Sequence, residues 1–281
     1  MKTILYATDY SQNSASALQL AHLLCGAFHA KLIVMHVLDM PISLASTVSI
    51  SHMKKTKKLL LEHGSKLKEF CSKHLGDACE ELQISFEVVH NSSVVDAILE
   101  YVMKNSVELI VLGAKGGSPL KEFLLGSTAQ ALIKKAPTIV LSVPNMKTIG
   151  KFGTMIYATD FEQADIFAIG RLVKIATQFQ ARIKVVHITT SKEYAGDQQM
   201  EWFKEILGQK VQYKNMEFHL IFSDDILEEL NGYLKKTNAD LLAMLERKDS
   251  SFIQKYLQSD KVKKMASQLT IPLLSFNVSG L

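Results

Sequence analysis

The feature that most limits what this chain of 281 residues can fold into is that it starts twice. Met155-Ile156-Tyr157-Ala158-Thr159-Asp160 repeats Ile4-Leu5-Tyr6-Ala7-Thr8-Asp9, and the register holds at an offset of 151 as far as His187, the partner of His36. Between Ile4–Val37 and Met155–Ile188, ten of 34 positions are identical, and many of the others exchange one apolar residue for another. A repeat of that length means two copies of one structural plan.

The first copy shows what the plan is. Thr3–Thr8 and Lys31–Leu38 are short apolar runs that read as buried strands. Between them, Ser11–Phe28 sets Ala17, Leu18, Ala21, Leu24, Cys25 and Phe28 on one helical face. Asp39 to about Ile50, with Pro41, reads as a loop crossing the end of the sheet, and His52–Leu75 as a long amphipathic helix. A strand over Gln83–Val89 follows, and Asn91-Ser92-Ser93 offers N-cap chemistry for a helix over Val94–Met103. Leu109–Leu112 is the fourth strand, Ala129–Lys135 a helix, and Thr138–Val143 the fifth strand. Pro144–Gly153 breaks the pattern and separates the copies. Such alternation predicts an α/β fold: two tandem open-sheet domains, 1–144 and 153–281, each a five-stranded, mostly parallel sheet with helices on both faces. Two copies of an open sheet leave exposed edges that one chain can cover by joining them.

Composition narrows the setting. The net charge of +4 is mild, and the lysines of His52–Lys58 fit a solvated helix face better than a nucleic-acid patch. No apolar stretch approaches the roughly 18–20 residues of a membrane helix. The start, MKTILYATDY, runs straight into a strand instead of a signal peptide. Three cysteines, Cys25, Cys71 and Cys79, suit a reducing compartment. The expectation is a cytoplasmic protein with no nucleic-acid or membrane partner. His22, Cys25 and His29 share a helical face, as do Cys71 and His74, but neither set has the closed spacing of a zinc site, so no metal site is expected.

Chemistry concentrates in one stretch, LIVLGAKGGSPLKEFLLGST, from Leu109 to Thr128. Gly113 ends the strand, Gly116 and Gly117 follow, and Gly126-Ser127-Thr128 opens the next helix. Free helix-terminal amides and two hydroxyls make an anion site, and glycines keep side chains out of it while permitting positive φ. It is not a Walker loop, since GxxxxGK[ST] occurs nowhere in the chain.

The spacing Gly113-x2-Gly116-x9-Gly126-Ser127, with its preceding strand and following helix, resembles the nucleotide-binding signature of the universal stress protein family. The resemblance implies an adenine nucleotide alpha hydrolase-like fold, an intramolecular pseudo-dimer joined through the fifth strands, Thr138–Val143 and Pro272–Phe276, and a bound adenine nucleotide, ATP or AMP, with magnesium carried by the phosphates. It places Ala7, Thr8 and Asp9 against ribose and adenine, and the backbone of Val37 at the adenine edge. Leu112, Gly113, Lys115 and Gly116 would approach the ribose and first phosphates, and Gly126, Ser127 and Thr128 the outer phosphates. Ser118 and Lys121 are possible additions that the spacing does not require.

Every one of these residues has a plainer reading. Asp9 or Ser127 alone would serve as a helix cap, and His36 as a strand-end residue. The second copy departs from the pattern: Leu245 stands for Gly113, Lys248 for Gly116, Gln258 for Gly126 and Asp260 for Thr128, while Ser259 and Asp160 persist. Side chains and acid groups there predict a degenerate copy without nucleotide. The overall expectation is a stress-response binding protein holding nucleotide in its first copy, with a further homo-oligomer or a protein partner left open. A slow ATPase or nucleotidyl-transfer enzyme, and an interaction module without nucleotide, are the competing readings.

Overall fold

The computed structural model of the chain describes residues 1–39, 50–79, 83–115, 125–190, 196–246 and 270–278. The first half runs β1 (Thr3–Ala7), α1 (Gln12–Phe28), β2 (Lys31–Asp39), α2 (Ile50–Leu75), β3 (Ile84–Asn91), α3 (Val94–Asn105), β4 (Leu109–Gly113), α4 (Ser127–Lys135) and β5 (Ile139–Val143). The second half runs β6 (Thr154–Ala158), α5 (Gln163–Phe179), β7 (Arg182–Thr189), α6 (Gly196–Lys210), β8 (Met216–Phe222), α7 (Ile226–Lys236), β9 (Leu241–Glu246) and β10 (Leu273–Asn277). A helix between β9 and β10, implied by the repeat, lies outside the described residues, as does the loop expected around Pro41.

All ten strands form one sheet, ordered β3-β2-β1-β4-β5-β10-β9-β6-β7-β8. The halves share one strand order about a central joint. There β5 and β10 run antiparallel, with Leu273 opposite Ser142, Leu274 opposite Leu141 and Ser275 opposite Val140. The other pairings among the described residues are parallel. Both fifth strands are fully buried, so two apolar edges that would otherwise attract another chain cover each other.

Strand alternation sends side chains to two core layers. Ile4, Tyr6, Leu32 and Val34 pack with Leu18 of α1 and Leu67 of α2, and that layer continues into Leu172 and Phe203 of the second half. Leu5, Ile33 and Met35 pack with Ile98 of α3 and Leu132 of α4, and that layer continues to Leu230 of α7. The stretch 144–153 between the halves is pinned: the Ser16 hydroxyl donates to Met146 O (3.1 Å) and accepts from Met146 N (3.0 Å), and Phe152 is buried against the edge of Phe179.

Local chemistry explains most boundaries. Ser93 caps α3, its hydroxyl accepting from Asp96 N at 3.2 Å. Strand β3 runs two residues past the expected Val89, because His90 and Asn91 still find ladder partners in Leu38 and Asp39. Helix α3 likewise continues to Asn105, where Ser106 at φ 49 turns the chain toward β4.

Candidate functional site

The carboxyl ends of β1, β2 and β4 meet the N-terminus of α4 at one end of the first half. Gly126 ties α4 to the ends of β4 and β5: its N–H donates to Ala114 O (2.8 Å), just after β4, and Ala114 N donates in turn to Val143 O (2.7 Å) at the end of β5. Gln130 holds the same corner, its Nε2 donating to Leu125 O (2.6 Å) and its backbone N–H to Gly126 O (3.0 Å). Gly126 is the N-cap residue of α4, at φ −59 and ψ 153, with no side-chain cap hydrogen bond. Ser127 is exposed and Thr128 half-buried beside it. The first turn of α4 therefore presents backbone amides and two hydroxyls beside the strand ends, an arrangement that suits an anion.

The glycines act differently from the sequence expectation. Gly126 has an ordinary extended backbone, and neither it nor Gly113 takes a positive φ. Gly113 sits in a tight place: a Cβ there would stand 3.2 Å from Lys115 O and 3.4 Å from both Asn13 O and Ser14 Cα, so the turn after β4 and the start of α1 would have to give by a few tenths of an ångström. Gly116, Gly117, Ser118 and Lys121 lie outside the described residues.

The turn after β1 forms the facing wall. Thr8 N extends the ladder by donating to Met35 O (3.0 Å). The Ser14 hydroxyl spends its proton on Ser11 O (2.7 Å), so in the 3.0 Å contact between the hydroxyls of Thr8 and Ser14 the threonine donates. Thr8 Oγ1 then accepts from Tyr10 N (3.0 Å). Asp9 is exposed and its Oδ1 accepts from Ser11 N (3.0 Å), which makes it a turn-closing group ahead of α1. Ala7 is half-buried between Met35 and Leu112. Val37 and Leu112 are buried in the α3–α4 core layer, so each offers a ligand only its backbone.

Behind that turn lies an aromatic cluster that sequence reading missed. Tyr10 adopts φ 62, a conformation that costs a side-chain-bearing residue about 1–2 kcal/mol. Its ring packs 4.2 Å from His36, under the Lys66 ammonium at 4.4 Å, and its hydroxyl donates to His63 O (3.2 Å). His36 and His63 stack with centroids 5.0 Å apart and planes 4° from parallel. His36 Nδ1 carries a proton, because its 2.8 Å partner is the Thr8 carbonyl. Burial pushes His36 below the ordinary histidine range; the Thr8 bond pulls it up, and His63 and Lys66 lower it further. Tyr10 and His63 are 53 positions apart, beyond any local motif.

His22 is engaged elsewhere, its Nε2 lying 3.0 Å from Ala78 O. Burial pushes the Cys25 and Cys71 thiols up to about 12, which leaves both unreactive. Among the described residues, no helix is long and apolar enough to cross a membrane.

The same corner of the second half is built from different side chains. Asp165 replaces Ser14 and is fully buried. It accepts from the Tyr157 hydroxyl (2.7 Å), the Thr159 hydroxyl (2.9 Å) and the amides of Glu162 (3.1 Å) and Asp160 (3.3 Å). Leu245 fills the place of Gly113, and Glu246 is buried next to it. A cavity of about 20 Å³ remains against Asp165, Thr159 and Leu245, room for about one water molecule. Phe161, at φ 58, repeats the strained turn and packs on His187 and Phe203 where the first half has Tyr10, His36 and His63. Lys248, Gln258, Ser259 and Asp260 lie outside the described residues.

The model of the Universal stress protein family matches residues 1–144, just over half of the chain. A universal stress protein from Archaeoglobus fulgidus DSM 4304 superposes with a TM-score of 0.67 at 17% identity, covering 98% of each chain. A functionally unknown protein from Pseudomonas aeruginosa PAO1 superposes with a TM-score of 0.63 at 16% identity, covering 99% of this chain and 92% of the other. Both likenesses are of fold, and both span the two halves. No curated protein matches the sequence.

Proposed function

The chain belongs to the universal stress protein family, and we propose that its first half binds an adenine nucleotide, ATP or AMP, so that the protein acts as a cytoplasmic, stress-linked binding protein. One observation carries this reading: α4 begins at a glycine, without a side-chain cap, one hydrogen bond from the end of β4. An anion is the natural partner of such a terminus. The amides and hydroxyls of Ser127 and Thr128 would take the phosphates, with the Ala7–Asp9 turn and the Val37 backbone on the nucleoside side. Gly116, from the same signature, belongs to this proposal on its spacing. Magnesium, if bound, rides on the phosphates with water completing its shell.

The second half, as a degenerate domain, takes no nucleotide in this reading, since Leu245 stands in the place of Gly113 and the buried Asp165 in that of Ser14. Residues 1–144 contain no arginine, which favours retention over rapid phosphoryl transfer. Calorimetric titration with ATP and AMP tests the proposal. One site per chain is expected. Gly126→Gln should abolish binding by placing a side chain in phosphate space, and Ser127→Ala should weaken it about tenfold, the order of one hydrogen bond to a charged group. Two equal sites, or full affinity in Gly126→Gln, would overturn it.

A further inference from the structure

We infer that the second half is a working part of the first half's nucleotide site, acting through the Asn277 side chain at the far end of α4; the inference rests on the nucleotide reading above. Helix α4 spans nine residues, about 13 Å, from the proposed phosphate amides to the joint between the halves. Its C-terminal end has a defect written in the sequence. Ala136 N donates to Leu132 O (2.8 Å), but the next carbonyl, Ile133 O, would be served by residue 137, which is Pro137 and has no N–H. Ala136 has already turned to ψ 133, so the chain leaves the helix there.

Asn277, the last residue of β10, supplies what is missing. Its Nδ2 donates to Ile133 O (3.2 Å) and Lys134 O (3.0 Å). Both partners are carbonyls, which fixes the amide with its NH₂ toward the helix. Asn277 is only 9% exposed, so water is a poor substitute.

Gly113 pairs with Val143 and Leu245 with Phe276, so Asn277, opposite Glu246, corresponds to Pro144 in the first half. Proline has no side-chain donor. The second half thus holds a helix of the first through Asn277. A helix this short has little stability of its own. Loss of its C-terminal bonds lets the last turn fray and the axis tilt, and the aim of the N-terminal amides depends on that axis. Asn277 is therefore a positioning residue.

The test compares Asn277→Ala, the isosteric but donor-less Asn277→Asp, and Asn277→Gln, which keeps the donor. Each is titrated with ATP by calorimetry below its unfolding transition. Amide hydrogen exchange at Ser127, Thr128 and Ala129 is followed without nucleotide. Alanine and aspartate should weaken binding about threefold to tenfold, the order of one lost hydrogen bond, and speed exchange at those three amides. Glutamine should recover most of both. A role in stability alone would lower the unfolding midpoint and leave affinity and those amides unchanged, and that result overturns the inference while the nucleotide reading stands. No binding by the wild type overturns both.

Discussion

Ser14 and Asp165 occupy equivalent buried positions, yet one brings a hydroxyl to its corner and the other a carboxyl group. In the first half the Tyr6 hydroxyl donates to the Ser14 carbonyl (2.8 Å); in the second, the Tyr157 hydroxyl donates to the Asp165 carboxylate instead. Asp165→Ala removes the acceptor of the Tyr157 and Thr159 hydroxyls and of two backbone amides, and a buried hydrogen bond lost in this way costs about 1–3 kcal/mol. Urea unfolding should therefore show a loss of about 3 kcal/mol, and Asp165→Ser, which restores the first half's arrangement, a smaller one. Equal stability of wild type and Asp165→Ala would refute this account. The exchange stands in the sequence at the 151-residue offset, but its meaning does not. Serine to aspartate reads as a surface change until Tyr157 and Thr159 are known to close over it. Gly113 taught the reverse lesson: its spacing pointed to a ligand, while in the fold it sits tight against the backbone of α1.

Among the elements, α2 contributes most that the sequence concealed. Its period predicted a helix, and the helix is there; which of its polar residues would meet β2 depended on tertiary packing. His63 and Lys66 arrive over Tyr10 and His36 from a distance that no local pattern spans. Strand and helix identities were legible because burial on both faces leaves continuous apolar runs. Ends such as Asn91 were not, since a partner strand decides them. His36 gives the first half a pH dependence. His36 has a folded pKa below its unfolded value, so the unfolded chain takes up the proton first as pH falls. Its contribution to stability is complete above the ordinary histidine pKa of about 6.5 and is lost as pH falls from there through the depressed folded value. His74, lowered chiefly by burial, acts in the same direction. Chemical denaturation between pH 7.5 and 5 should show stability declining toward acid, with a shallower decline in His36→Gln. An unchanged slope in that variant would assign the effect elsewhere.

For the whole molecule, the repeat foretold the shared strand order, and two open sheet edges foretold that the halves would join; the family resemblance pointed to the fifth strands as the joint. A fragment of residues 1–144 loses the partner of β5, whose five residues are all buried in the full chain. It should associate into dimers or larger species in sedimentation experiments, whereas the full chain keeps this edge covered. A stably monomeric fragment would show that β5 does not depend on β10. The stretch 144–153, pinned at Met146 and Phe152, has a further consequence. Short tethers hold two surfaces at effective concentrations in the millimolar range, whatever the concentration of the chain. Two separate subunits meeting through such a joint would come apart on dilution. Here the pairing is indifferent to how many copies are made, so the first molecule synthesised carries the same joined sheet as the thousandth.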